Sequence, residues 1–121
     1  MKRFLAMALL MALAPTLGIS QTRPTTNTLL LECRSALQLL DTGEARNYAE
    51  AWACSSYMAG LRDGISTALE ASTICIPQTV TGGQLIRIFV RWADDNPALL
   101  HEDQALGALR ALRQAFPCAT G

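Results

Sequence analysis

The chain has 121 residues, ten basic and ten acidic, and half of them are apolar. That length suits one small domain with a modest core. The balanced charge excludes the concentrated basic surface that nucleic-acid binding requires.

Lys2 and Arg3 open the chain, an apolar run follows from Phe4 to Leu13, and Pro15, Gly18 and Ser20 come next. This is the pattern of a secretory signal peptide over residues 1–20, cut before Gln21. The run is too short for a membrane span, which needs about 20 apolar residues. No cysteine stands at the cut to take a lipid. Cleavage leaves eight Arg, no Lys and ten acids, a mildly acidic product. Residues 21–27, with Pro24, read as a polar, mobile lead. Residues 28–121 read as the folded domain.

A first helix is expected over 28–40, with Leu30, Cys33, Leu37 and Leu40 as its apolar line. Asp41-Thr42-Gly43 ends it, because Gly readily takes the left-handed conformation that stops helices. A long central helix follows over 47–71. Ala51, Cys54, Met58, Leu61, Ile65 and Leu69 recur at spacings of three and four. Gly60 and Gly64 lie on one side of it, where they suit close approach by another backbone, at about 1 kcal/mol each relative to Ala. The short connection makes the first two helices antiparallel.

Pro77 breaks the chain. Thr81 and Gln84 then form a capping box for a third helix over 82–94. Leu85, Ile86, Phe89, Val90 and Ala93 make its apolar face, and Arg91 and Asp95 are placed to pair across one turn. Asn96-Pro97 opens a turn. A fourth helix is expected over 102–115, with Glu102 and Asp103 in its first turn, where carboxylates suit the helix dipole. Ala105, Leu109, Leu112 and Phe116 line one face beside Leu106, and Pro117 ends it. No strand-like alternation is seen. The fold class is all-α, a compact four-helix domain.

Four cysteines in a short exported chain imply two disulfides. Cys33 and Cys54 lie at equal distances either side of the first interhelical turn, so they face each other at one height. Joining Cys54 to Cys75 would span about 30 Å of helix, whereas a disulfide allows less than about 7 Å between α-carbons. Cys33 to Cys75 fails similarly. The pairing is therefore Cys33–Cys54 and Cys75–Cys118. Zinc is disfavoured, since no close C-x-x-C pair is present.

Catalytic signals are weak. His101 is the one histidine; beside Glu102 and Asp103 it reads as a turn residue near a helix start. No serine lies in an elbow motif, Gly82-Gly83 lacks the Lys of a phosphate loop, and oxidised cysteines offer no thiolate. No cofactor is called for. Trp52, Tyr57 and Trp92 fall off the main apolar stripes. Packing against neighbouring helices is the simpler expectation for them, and an exposed interface role the alternative.

Several motifs occur in order: Cys54, Tyr57, Gly60 and Asp63; then Cys75, Pro77, Val80, Thr81, Gln84 and Leu85; then Pro97, His101, Ala105 and a closing Phe116-Pro117-Cys118. This set, from about Cys33 to Cys118, resembles the Rap/Tai family of type VI secretion immunity proteins. The resemblance implies a periplasmic, all-helical, non-enzymatic protein, often a homodimer. It implies a protein partner, an effector toxin such as a peptidoglycan amidase, whose active site is blocked. It also implies mostly structural roles for the shared motif residues. The toxin-binding surface differs between members, so the His101 region and the Gly82-Gly83 loop are candidates only as turns. The alternative function is a periplasmic stress chaperone or scaffold of the HdeA kind, against which the lack of lysines argues.

Overall fold

All four expected helices form. The computed structural model describes residue 18, residues 22–68 and residues 73–119. The expected signal peptide, apart from Gly18, and residues 69–71 of the expected central helix lie outside the described residues.

Helix α1 is Thr26–Thr42, capped by the Thr25 hydroxyl, which accepts from the Thr28 N–H. It starts two residues earlier than expected, so Thr25 and Thr26 belong to its cap and first turn rather than to a polar lead. Gly43 ends it at φ 77°, with its N–H donating to the Leu39 carbonyl, which is the left-handed stop the sequence calls for. Helix α2 is Tyr48–Thr67, and the Asn47 side chain caps it by accepting from the N–H groups of Ala49 and Glu50. Helix α3 is Gly82–Asp95. Its capping box is complete: Thr81 N–H donates to Gln84 Oε1 at 2.7 Å, and Gln84 N–H to Thr81 Oγ1 at 3.2 Å. A 3-10 turn, Pro97–Leu99, leads to α4, Gln104–Ala115, whose cap is Asp103.

Helix α1 is the centre of the packing and touches the other three helices. Arg34, at the middle of α1, reaches Asp94 at 2.6 Å, and Asp41, at its C-terminal end, pairs with Arg87 of α3. These two pairs fix α1 and α3 as antiparallel. The core gathers Leu29, Leu30, Met58, Leu85, Phe89 and Leu112, all fully buried. Each contributes about 1.5–3 kcal/mol over an exposed position. Ala51, Cys54, Met58 and Ile65 of α2 face this core as expected, and Leu61 is half-buried.

Both disulfides form as inferred. Cys33–Cys54 joins α1 to α2 at a Cα–Cα distance of 5.0 Å, and Cys75–Cys118 closes the far end at 4.9 Å. The second is framed by backbone pairing: Cys75 N–H donates to the Phe116 carbonyl at 2.8 Å, and Ile74 bridges Pro117. A similar bridge, Thr25 with Asp103, ties the start of α1 to the start of α4. These two isolated bridges are the extent of β pairing among the described residues.

Four local expectations are corrected. Asp94 pairs with Arg34, while Arg91 and Asp95 make no ion pair. Leu40, placed on the apolar line of the first helix, is 55% exposed. The inward face of α4 is Gly107, Ala108, Ala111 and Leu112, and Leu106 is exposed. The cause is close approach. A Cβ built on Gly107 would lie 2.6 Å from Thr26 Cγ2 and 3.0 Å from its Cβ, so small residues meet α1 there, while Leu112 is buried and Leu109 and Phe116 pack half-buried against the core as expected. Gly60 and Gly64 are the reverse: nothing lies within 4 Å of a Cβ built on either. The close backbone contact expected there is made at Gly107 instead.

Candidate protein-docking surface

The motif residues do not converge on one spot. Tyr57 is half-buried on α2, and burial, followed by the Asp103 carboxylate, pushes its phenol above the ordinary range. Gly60 and Asp63 are exposed on α2. The Pro77 carbonyl accepts from Val80 N–H at 3.1 Å and so shapes the turn before α3. Thr81 and Gln84 cap α3. Pro97 opens the 3-10 turn, and His101 is exposed in the turn before α4. Phe116 and Pro117 hold the backbone pairing around Cys75–Cys118. Thr81, Gln84, Pro77, Pro97, Phe116 and Pro117 thus serve a cap, a turn or a crosslinked end, while Tyr57 packs against the core.

His101 is exposed, and Asp103 caps α4 by accepting from the Ala105 N–H at 2.8 Å. Ser55 Oγ donates to the Ala51 carbonyl at 2.8 Å within its own helix. All four cysteines are oxidised. Among the described residues, no three His, Cys, Asp or Glu side chains gather as a metal site, and no helix is long and apolar enough to cross a membrane.

The outer face of α2 differs from the other helices. Exposed helix faces in water normally carry charge. Helix α2 has three charged residues, Glu50, Arg62 and Asp63. Glu50 is half-buried and accepts from Ser35 Oγ at 2.7 Å; Arg62 is half-buried and donates to the Gln78 carbonyl at 3.2 Å. That leaves Asp63 as the one fully exposed charge on the helix. Around it the face is Ala49, Ala53, Ser56, Ala59, Gly60 and Gly64, all exposed. Two aromatics stand on it one turn apart: Tyr48, 54% exposed, and Trp52, 70% exposed. Trp52 rims a hollow of about 180 Å³ with Leu39, Ala51 and Ser55. Further along, Gly60 and Gly64 floor a wider apolar groove of about 430 Å³ that runs to Leu109 and Arg113 of α4. Packing, the simpler expectation for the off-stripe aromatics, holds for Trp92, which is 7% exposed, and fails for Trp52.

The family model of the Rap1a immunity proteins matches residues 25–118. The chain belongs to the Rap1a immunity protein family. The Rap1a match begins at the cap of α1 and ends at the last disulfide cysteine, so its limits coincide with the two backbone closures of the fold. No curated protein and no solved structure matches the chain. In this Rap1a protein, the charge-poor face of α2, with its exposed aromatics, is the candidate surface for a macromolecular contact. The signal that could have found it in the sequence is the scarcity of charge between Ala51 and Leu61.

Proposed function

We propose that this Rap1a protein is exported to the periplasm by residues 1–20 and acts there as an immunity-type inhibitor. Its target is a type VI secretion effector such as a peptidoglycan amidase, which it blocks by occupying the active-site cleft, with no chemistry of its own. The observation that carries the reading is the α2 face: built of small residues, with Asp63 as its one exposed charge, and bearing Trp52 and Tyr48 in the open. Tryptophan and tyrosine are the residues that most often dominate binding energy at protein interfaces. Burying an aromatic side chain of this size gains about 1.5–3 kcal/mol. The two disulfides hold the face rigid, which lowers the ordering cost of association.

The test is periplasmic co-expression with the effector encoded beside this gene. Rescue of growth and a co-purifying complex are expected. Trp52→Ala should weaken the complex by about tenfold or more while leaving the melting temperature unchanged, since Trp52 touches little of the core. No rescue and no complex would refute the reading. A stress-chaperone reading draws on Leu31, Leu40 and Leu106, exposed away from this face; protection of client proteins from aggregation at acid pH, without effector binding, would favour it.

A further inference from the structure

The seam between α3 and α4 holds a second, chemically different groove. Two depressions of about 280 and 420 Å³ meet over Trp92, Asn96 and Gln114. Trp92 is 7% exposed. A buried indole ordinarily pairs its N–H, but this one has no protein acceptor among the described residues. No side-chain N or O atom among them is both sealed from solvent and unpaired. Its N–H is therefore open to solvent, on a side chain that lines both depressions.

The groove is rich in donors. Asn96 is held in place by its own amide, which donates to the Trp92 carbonyl at 2.8 Å. Arg91 enters from α3, and Arg110 and Arg113 from α4. Arg110 is paired with Glu102, whereas Arg91 and Arg113 have no carboxylate partner among the described residues. Asp95 is the single acid lining the groove. The seam is thus locally positive on a chain that is acidic once its first 20 residues are removed.

We infer that this groove binds an extended acidic segment of the protein partner. The indole N–H of Trp92 and the amide of Gln114 meet backbone carbonyls, and Arg91 and Arg113 pair with Asp or Glu side chains along the segment. Guanidinium–carboxylate pairs of this kind are directional and strong. The occupant is elongated because the two depressions continue one another along the seam, so a single small anion would satisfy only one end. The inference rests on the proposal that the protein binds another protein, and it names a contact on the α3–α4 seam, which shares only Arg113 with the groove at the end of the α2 face.

The chain has two tryptophans, so indole N–H signals report the two surfaces separately. Full-length, disulfide-intact, ¹⁵N-labelled protein is titrated with acetyl-Glu-Leu-Glu-Asp-Glu-amide, and Trp52→Phe assigns the two signals. The Trp92 signal should shift saturably and the Trp52 signal should stay. Arg91→Gln combined with Arg113→Gln, both at exposed positions, should weaken binding about tenfold or more, and added salt should weaken it in the wild type. An unmoved Trp92 signal would overturn the inference, as would an equal response to the Gln-Leu-Gln-Asn-Gln peptide. Inorganic phosphate reproducing the same shift and competing with the peptide would show a small-anion site and also overturn it. If the peptide fails while the effector complex still depends on Trp52, the groove is misassigned and the inhibitor reading stands; if no effector binds but the peptide does, the reverse holds.

Discussion

Substituting Gly107 by Ala tests the packing of α4 on α1. A Cβ there would lie 2.6 Å from Thr26 Cγ2, closer still to Thr26 Oγ1, and 3.0 Å from Thr26 Cβ. Thr26 is fully buried and cannot swing away. Its hydroxyl is shared between the carbonyls of Glu102, at 3.2 Å, and Asp103, at 3.1 Å. Overpacking of this kind costs about 1–3 kcal/mol, and losing the buried hydroxyl bond adds about 1 kcal/mol. Better helix propensity returns up to about 1 kcal/mol. The net destabilisation is about 2 kcal/mol, or roughly 8–16 °C in melting temperature for a domain of this size. Gly60→Ala is the control: its Cβ meets nothing within 4 Å, so propensity alone acts and stability rises by about 0.5–1 kcal/mol. Urea denaturation of the oxidised protein measures both. Thr26→Ala added to Gly107→Ala should recover part of the loss, giving a coupling energy that two independent sites would lack. The reasoning fails if Gly107→Ala is as stable as the wild type, or if Gly60→Ala loses as much as Gly107→Ala does.

Three further outcomes are expected. Thr81→Ala removes half of the capping box and should cost about 1 kcal/mol by urea denaturation, without altering the disulfides. Serine replacement of each crosslinked pair in turn should destabilise by about 3 kcal/mol for Cys33–Cys54 and about 4 kcal/mol for Cys75–Cys118, because the partners are 21 and 43 residues apart; equal or reversed losses would contradict the loop-length argument. Glu32 is held above the ordinary carboxylate range by partial burial and then by the Glu50 charge. A carboxyl whose folded pKa is raised contributes stability below its unfolded pKa, and that contribution is lost as pH rises through the folded value. Glu32→Gln should therefore melt higher than the wild type at pH 7, with the gain shrinking in acid below the ordinary Glu range; a gain of the same size at both pH values would refute the assignment.

Much of this fold is local and could be read from the sequence. Gly43, the Thr81–Gln84 box and the core stripe of α2 depend on a few neighbouring residues. The disulfide pairing also follows from short-range geometry, because a helical hairpin puts Cys33 opposite Cys54 and leaves the other two to each other. What was not legible depends on how the helices are arranged around α1. Trp52 and Trp92 both sit off the apolar stripe of their helices, yet α4 covers Trp92 and nothing covers Trp52. The inward face of α4 was legible at Leu112 but not at Gly107, Ala108 and Ala111, because size normally marks the buried side and these three are small. The candidate surface on α2 was legible only as a scarcity of charge between Ala51 and Leu61, a pattern that hydrophobic periodicity does not register.

The two backbone closures impose an order on how the chain can mature. The Cys33–Cys54 link lies within a hairpin and can seal as soon as 54 residues have emerged. The first turn of α1 has to wait, because its Thr26 N–H donates to the carbonyl of Glu102 at 2.7 Å. A nascent or truncated product that stops short of Glu102 would carry one correct crosslink and pass a thiol assay for that pair, yet its leading helix would end in unmet donors. Correct oxidation of the early pair is therefore no certificate of a finished molecule, and quality control of the recombinant material should score the later Cys75–Cys118 link.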